Sequence, residues 1–479
     1  MKLKVVFLCF ILSYSMTYSQ YIEDALRYAK SNGIITPRAA AMNISFHGIS
    51  DDIAALYYNP AGLTLIGKSE LSVGLGFTRN SNETNYLNTN DMLKSNNEYI
   101  THIGLALPVQ FEDTKAAIAI GYFLEDDYTS NMSYRGFNPK TTLIGSESSL
   151  GPRSLQDNWS YLLYLSNNEG LGSNVSLVTP FKDSLNQSSL VAEGGGLQNV
   201  SGGMSFDVSE YVSLGIGITG KWGDYSYRKE YTESDDLGLY ANTPIEGRIF
   251  ERLKTNENLS QKVSGINATI GFQARLSDFF RFGIAVKTPT WYQVDETFDA
   301  RYDAFYRSGH KSEYYQYDGK NSYNLRTPFV YSAGLSIHGE GLTFAAGIEY
   351  SDATQLKFSD AIPEVMALNN RIMLELVGRT TWGFGLEYDI PLVPIVARAS
   401  YSRTTSPYQL DIPNANLTNF SVGAGVYLGK KVRIDGVFRW IEYSEQRTNF
   451  KTQQDVENYA NYVVNRMPLN ISLGLTYRY

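Results

Sequence analysis

The sequence predicts an all-β chain: one transmembrane antiparallel β-barrel of about 14 strands, with an N-terminal segment plugging its lumen. Three observations carry this expectation. From Glu70 to the C-terminus, apolar residues recur at every second position, the spacing of a strand with one face toward an apolar medium. The connections between these stretches alternate between tight turns and long loops, as in outer-membrane barrels. No internal apolar run reaches the ~18 residues of a membrane helix, so any crossing is made by strands.

Composition agrees. The chain has 479 residues, 41 Lys+Arg against 49 Asp+Glu and a net charge of −8, so it lacks the cationic surplus that nucleic acid selects. With 36 Tyr, 23 Phe and 5 Trp it has too much buriable surface for a disordered chain. Only 19% of residues are charged while Gly reaches 41, a profile for many strands whose faces do not all meet water.

Residues 1–19 read as a secretory signal peptide. Lys2 and Lys4 make the basic start, 5–12 the apolar centre, and Thr17-Tyr18-Ser19 a small-residue cleavage site before Gln20. The only cysteine, Cys9, lies inside this segment, so the mature chain is expected to have no disulfide, thiolate metal site or cysteine nucleophile.

Residues 20–68 lack strand alternation. Arg38-Ala39-Ala40-Ala41-Met42 reads as helical. Ser50 or Asp51 would cap a short helix that Asn59-Pro60 ends, because a residue preceding proline avoids the helical region. A segment this short and polar does not fold alone, and the polar lumen of a barrel is the place for it.

Residues 69–479 form the barrel. Period-two alternation places strands at 69–79, 98–109, 115–128, 195–207, 211–228, 261–276, 279–292, 327–338, 341–354, 375–389, 393–404, 417–428, 431–445 and 468–479. In the last, Ile471, Leu473, Leu475, Tyr477 and Tyr479 share one face, with Ser472, Gly474, Thr476 and Arg478 on the other. Tight turns fall near Glu112-Asp113, Ser209-Glu210, Ser277-Asp278, Gly339-Glu340, Pro391-Leu392 and Gly429-Lys430. Long loops cover 80–97, 129–194, 229–260, 293–326, 355–374, 405–416 and 446–467. An even strand number puts both termini on the short-turn, periplasmic side of a Gram-negative outer membrane. Trp222, Trp291, Tyr401, Trp440 and Tyr479 stand where interfacial girdles would lie. Inside the longest loop, Trp159-Ser160-Tyr161-Leu162-Leu163-Tyr164-Leu165 is either a short helix buried in the loop or an exposed binding edge.

Arg38-Ala39-Ala40-Ala41-Met42, then Asp51-Asp52, then Ala55-Leu56-Tyr57-Tyr58-Asn59-Pro60-Ala61-Gly62-Leu63 resembles the N-terminal hatch of the FadL/TodX family of outer-membrane transporters. The likeness includes an Asn-Pro-Ala signature and covers residues 36–63, while Asn43-Ile44 stands where the family often has glycines. It implies a fourteen-stranded barrel, a hatch in the lumen, and passive uptake of long-chain fatty acids or other hydrophobic small molecules. It also makes Asp51, Asp52, Asn59, Pro60, Ala61 and Gly62 the hatch and gating residues.

Inward charges on the polar strand faces are mostly basic. A fatty acid needs a greasy pocket with one or two cations at its end, and Lys287, Arg398 and Arg439 are the candidates for that end. The alternative is an Arg/Lys–Asp/Glu lattice that stiffens the lumen. The four histidines, His47, His102, His310 and His338, form no HExxH or Cys/His cluster, and GxSxG is absent. The chain therefore reads as a non-enzyme without metal or cofactor; a hydrolase would need a Ser and a His meeting on one barrel face. Asp51-Asp52 reads as a helix cap before a metal site. The expected partners are hydrophobic small molecules and outer-membrane lipid, with a monomeric chain. A surface-binding or adhesion protein using its long external loops is the alternative function.

Overall fold

A computed structural model describes residues 18–30, 35–111, 114–149, 155, 158–169, 176–307, 312–452 and 459–479. Cys9, residues 1–17 of the expected signal peptide, the turn at Glu112-Asp113, His310 and parts of three long loops lie outside the described residues. Among the described residues, no helix is long and apolar enough to cross a membrane.

The main sheet closes into a 14-strand antiparallel barrel. In chain order the strands are β1 Glu70–Tyr86, β2 Thr89–Phe111, β3 Thr114–Asp127 continued by Ser130–Asn138, β4 Leu185–Ser209, β5 Val212–Ser234, β6 Ile249–Ser277, β7 Phe280–Lys287 continued by Trp291–Arg307, β8 Glu313–Arg326 continued by Val330–Gly339, β9 Leu342–Asp352 with the outlying piece Lys357–Ser359, β10 Gly378–Asp389, β11 Ile395–Thr404, β12 Leu417–Leu428, β13 Val432–Thr448 and β14 Asn461–Arg478. β1 closes the ring by pairing with β14 from Glu70↔Arg478 to Asn85↔Val463.

Exposure is inverted relative to a water-soluble sandwich. Along β1, Glu70, Ser72 and Gly74 are buried, while Leu71 is 50% and Leu75 62% exposed. Ile218, Ile270 and Leu473 likewise point outward. Polar residues inside and apolar residues outside are what a hydrocarbon surrounding selects.

The wall extends further than apolar alternation suggests. Residues 80–97, expected as a loop, continue β1 and β2 to a tight turn at Leu87-Asn88, both at positive φ (48° and 64°). Much of 229–260, 293–326 and 446–467 is also strand. The reason is physical: beyond the apolar belt both faces are polar, so pairing persists while the period-two hydrophobic signal vanishes. The expected strandless loop 129–194 contains the second half of β3, the start of β4, a small Asn167–Glu169/Ser176–Val178 hairpin, and helices α4 Leu143–Ser149 and α5 Trp159–Leu162 (numbered after α1 Tyr18–Ala29, α2 Pro37–Met42 and α3 Ala55–Tyr58, and before α6 Pro363–Glu375).

The stretch 279–292, expected as one continuous strand, is broken, and the strand expected from 327 begins at a matching break. β7 is interrupted at Thr288-Pro289-Thr290 and β8 at Thr327-Pro328-Phe329, and the flanking registers, Lys287↔Val330 and Trp291↔Arg326, set the two prolines opposite each other. Neither proline has an N–H for the ladder. The break is spanned instead by Thr327 N–H donating to the Thr290 carbonyl at 3.0 Å and Thr290 N–H donating to Thr327 Oγ1 at 2.8 Å.

Residues 35–66 fill the turn-side half of the lumen. Ile35, Met42, Phe46, Ile53, Leu56 and Leu63 form one apolar cluster that meets only small wall residues and Phe123. The wall is glycine where this backbone approaches most closely, as at Gly334, where a Cβ would lie 2.3 Å from Gly48 N, and Gly347, where it would lie 2.2 Å from the Ile44 carbonyl oxygen. α1 continues up the lumen toward the long-loop end. Its Ile22, Ala25, Leu26 and Tyr28 pack with Tyr225, Tyr292, Phe358 and α6 residues Leu368 and Ile372. The first described helix therefore sits inside the barrel at the level of the long loops, while the C-terminal Arg478 pairs with Glu70 at the turn end. The spacing Ile22, Ala25, Leu26 is the helical signal for α1.

Candidate functional site

Three features of the interior define the site: an ion lattice at its base, a series of cavities above it, and a discontinuity in the wall.

The lattice is built around Arg38 of α2. Its Nε and Nη2 donate to the two Glu387 carboxylate oxygens, each at 2.9 Å, and Nη1 donates to Asp51, with Asp52 at 3.6 Å. Arg281 reaches Asp51 at 3.4 Å and Arg433 reaches Asp52 at 3.7 Å. Arg398 bridges Glu387 at 2.5 Å and Asp435 at 2.7 Å. Burial opposes the Asp51 carboxylate, but Arg38 and Arg281 outweigh it and hold its pKa below the usual range. For Asp52 burial wins over Arg38 and Arg433, and its pKa is raised. The cap expected from Ser50 or Asp51 is not formed, since α3 begins after Ala54 with no side-chain cap; Asp52 Oδ1 accepts from Ala54 N–H at 2.8 Å in the turn that leads into it. The Asp51-Asp52 pair is thus surrounded by guanidinium groups.

Asn59 ends α3 and fastens it to the wall. Its Oδ1 accepts from Ala61 N–H at 3.2 Å, opening the 3-10 turn Pro60–Leu65, while Nδ2 donates to the Phe272 carbonyl at 3.0 Å and to Gln273 Oε1 at 3.1 Å on β6. Gly62 permits the return of the chain, since a Cβ there would lie 2.0 Å from the Ser50 carbonyl oxygen.

Above this plug lies a cavity of about 100 Å³ that Lys30, Lys221, Lys287, Arg379 and Arg439 border, with Glu125 and Glu349. Lys221 Nζ contacts Glu125 at 2.5 Å, and Glu349 stands 3.8 Å from His47. Lys287 Nζ lies 4.1 Å above the Tyr57 ring. Among the described residues, Lys30, Lys287 and Arg379 make no ion pair. Burial lowers the pKa of Lys30. The structure thus brings Lys287 and Arg439 together and places Arg398 apart from them, in the lattice below. Lys30 and Arg379 were not singled out from sequence: Lys30 lies outside the strands, and Arg379 precedes the apolar alternation of β10.

A second cavity of about 230 Å³ shares Lys30 and Glu125 with the first and continues upward beside α1. It is strongly charged: Glu193 is bound by Arg447 at 2.9 Å and Arg466 at 3.1 Å, and Glu445 by both at 2.7 Å. Glu23 of α1 faces this group, and burial pushes its pKa up to about 7 against the pull of Arg447. A folded pKa above the unfolded one means that this contribution is full below about pH 4.5 and is lost as pH rises through about 7. Hydrogen exchange of the α1 amides, corrected for the intrinsic rate, is expected to quicken between pH 6 and 8 in the native chain and to stay level in Glu23→Gln. The same quickening in Glu23→Gln would show that another group is responsible.

A third cavity of about 110 Å³ lies nearest the long loops and is lined by the rings of Trp159, Tyr227, Phe298, Tyr302 and Tyr317 together with charged residues such as Lys229, Glu257 and Asp299. Trp159 of α5 stacks on Tyr302, with ring centroids 4.7 Å apart and an interplanar angle of 19°. The apolar stretch of the longest loop is therefore a short helix with Trp159 buried and Leu162 39% exposed.

The wall is discontinuous beside the second cavity. β2 pairs with β3 only from His102↔Phe123 to Phe111↔Thr114. Past a register shift between Leu124 and Asp126, β3 stays paired with β4 while its backbone ladder with β2 ends. Its second half is joined to β1 and β2 through side chains, with Asn82 Nδ2 of β1 donating to the Asn131 carbonyl at 2.7 Å and Asp91 of β2 meeting Arg135 at 3.3 Å. At the parting itself, Asn97 of β2 reaches the Asp127 side chain at 3.0 Å and Ser95 Oγ donates to the Thr129 carbonyl at 3.4 Å. Leu124 to Ser130, at this parting of strands, also line the second cavity.

Ser–His meetings do occur. Ser72 Oγ lies 2.8 Å from His102 Nε2, and Ser336 Oγ 2.8 Å from His338 Nε2. The other ring nitrogen meets a threonine hydroxyl in each case, Thr101 at 2.9 Å and Thr343 at 3.0 Å. A hydroxyl does not offset an imidazolium charge as a carboxylate does; Ser72–His102 joins β1 to β2, and His338, bonded to Ser336 of its own strand, joins β8 to β9 through Thr343.

No family model matches the sequence, and no curated protein matches it. Solved structures share its fold. A Pseudomonas aeruginosa FadL homologue is 13% identical with a TM-score of 0.53, covering 92% of this chain and 98% of that one. The P. putida toluene transporter TodX is 13% identical with a TM-score of 0.54, covering 94% and 99%. The Ralstonia pickettii toluene transporter TbuX is 13% identical with a TM-score of 0.52, covering 94% and 99%.

Proposed function

We propose, from the premise that this chain has the fold of a FadL homologue and of two toluene transporters, that it is an outer-membrane passive transporter for uptake of hydrophobic small molecules. The observation that carries the reading is the sequence of environments along the lumen: aromatic rings among charged groups near the loops, ion-paired side chains in the middle, an excess of cations above residues 35–66. An amphiphile with an apolar tail and one anionic head fits that order, and long-chain fatty acids are the substrates of choice. The tail would dwell on the aromatic cavity, and the carboxylate would settle among Lys287, Arg439 and Arg379. Residues 20–68 act as the hatch. Movement about Asn59, Pro60, Ala61 and Gly62, restrained by Asp51 and Asp52, frees the turn-side exit, and the parting of β2 from β3 offers a route sideways into the bilayer. Adhesion through the long loops is disfavoured as the main role because those loops fold over the aromatic cavity.

The test is equilibrium binding of labelled long-chain fatty acids, alkanes and monoaromatic hydrocarbons to the purified chain, followed by uptake into vesicles. Saturable binding of fatty acid, with uptake abolished when Asn59-Pro60-Ala61 is replaced in a chain that still folds, is the expected result. Absence of binding by all three classes would return the function to the external loops.

A further inference from the structure

The outer wall carries a site of its own. One register line runs across five neighbouring strands: Gly220 of β5 opposes Ile266 of β6, Ile266 opposes Trp291 of β7, Trp291 opposes Arg326 of β8, and Arg326 opposes Lys357 of β9. Ile266, Trp291, Arg326 and Lys357 are exposed, while Tyr292, Leu325 and Phe358, their chain neighbours, are buried, so the line lies on the outside of the barrel. On the loop side of this line lies a groove of about 580 Å³ lined by Trp222, Ser264, Trp291, Gln293, Asn324 and Arg326, while Ile266 and Lys357 stand on the line at its edge. The paired breaks at Pro289 and Pro328 lie just on the turn side of the line and bend the wall there. Toward the turns the surface is hydrocarbon-like, with Ile218, Ile266 and Phe329 exposed. Toward the loops it is polar, with Gln293 and Asn324.

Two like charges directly opposite on one sheet face repel. Arg326 and Lys357 are such a pair, and among the described residues neither makes an ion pair. The nearby acid is engaged elsewhere: Asn324 Nδ2 donates to Asp360 at 2.7 Å. An anion between the two cations would turn this repulsion into two charge-assisted contacts. At this height, where the apolar belt gives way to the polar wall beside two indoles, the anion within reach is a lipid phosphate. We propose that the wall at the edge of this groove binds one phosphorylated membrane lipid, its phosphate between the paired Arg326 and Lys357 and an acyl chain along the exposed Ile266 and Phe329. The inference rests on the barrel being in a membrane and not on what passes through it.

The test is native mass spectrometry of the full chain released from mixed micelles holding equal phosphatidylglycerol and phosphatidylcholine. The native chain is expected to retain one phosphatidylglycerol, preferred about 10- to 30-fold over phosphatidylcholine. R326Q/K357Q should reduce the preference to about twofold or less, whereas K430Q/K431Q, at the opposite rim, should leave it intact. Heat-modifiable gel mobility verifies that each variant is a folded barrel. The proposal is overturned if the native chain shows no preference, if R326Q/K357Q keeps it, or if millimolar inorganic phosphate removes it, which would mark a free-phosphate site.

Discussion

Replacing Arg38 with Met is expected to loosen the plug while leaving the barrel folded, and to convert a closed lumen into a leaking one. Arg38 is 6% exposed and supplies two donors to Glu387, beside the one from Arg398, and the closest cation to Asp51. Arg398 still holds Glu387 and Arg281 still reaches Asp51 when Arg38 is removed, so the cost is that of the lost charge-assisted hydrogen bonds, about 1.5–3 kcal/mol each, and not that of a buried charge left alone. The cost falls on the contact between α2 and β10, because the strand ladders do not involve Arg38. Conductance of reconstituted R38M should therefore rise well above the native level, and cells carrying it should become sensitive to hydrophilic antibiotics. R38M/E387M, which removes both sides of the main pair, should recover part of the closure, since apolar replacement of a whole pair is far less costly than breaking it. A closed R38M, or an R38M/E387M that leaks more than R38M, would refute the latch.

The same lattice gives an acid dependence. Asp51 has a folded pKa below its unfolded value, so its contribution is present above about pH 3.9 and is lost as pH falls through the folded value. Acid leak in the native chain is expected only below that range.

What was legible in the sequence follows the medium each residue meets. Strand facing could be read where lipid forces the outward residues to be apolar, as at Ile471, Leu473 and Leu475, and all fourteen positions were found there. It could not be read at Thr89 to Tyr99 or Tyr314 to Asn324, where both faces are polar and pairing alone keeps the strand. The helix stop at Asn59-Pro60 was local and therefore visible. The partner of Arg38 was not, because Glu387 lies 349 residues away and no spacing rule spans that distance. Strand parity placed Lys287, Arg398 and Arg439 inward correctly, yet parity says nothing about height. Arg398 proved to lie beside Asp435 and Glu387 at the plug, below the other two. The ring-lined cavity escaped notice because its walls come from seven separate segments, although alternating Tyr315 and Tyr317 were a signal that one face of β8 turned inward with rings.

Neutralising the upper cations should separate recognition of a carboxylate from recognition of a tail. In Lys287→Gln/Arg439→Gln, affinity for a long-chain fatty acid is expected to fall about 10- to 100-fold, because a hydrogen bond to a charged group contributes about 1.5–3 kcal/mol. Affinity for an alkane or monoaromatic of similar size should change about twofold or less, since the aromatic cavity around Trp159 and Tyr302 is untouched. The fixed acids of the lower cavity support this asymmetry: Glu125 is held by Lys221 at 2.5 Å and Glu349 faces His47, which leaves the cationic side turned toward the ligand. Arg398→Gln is the contrast. It breaks contacts with Glu387 and Asp435, so it should alter leak through the plug and leave fatty-acid affinity unchanged. Isothermal titration on the folded variants distinguishes the cases. Equal losses for fatty acid and hydrocarbon would mean that the lysine–arginine pair only shapes the cavity, and a full loss in Arg398→Gln would move the carboxylate down to the lattice.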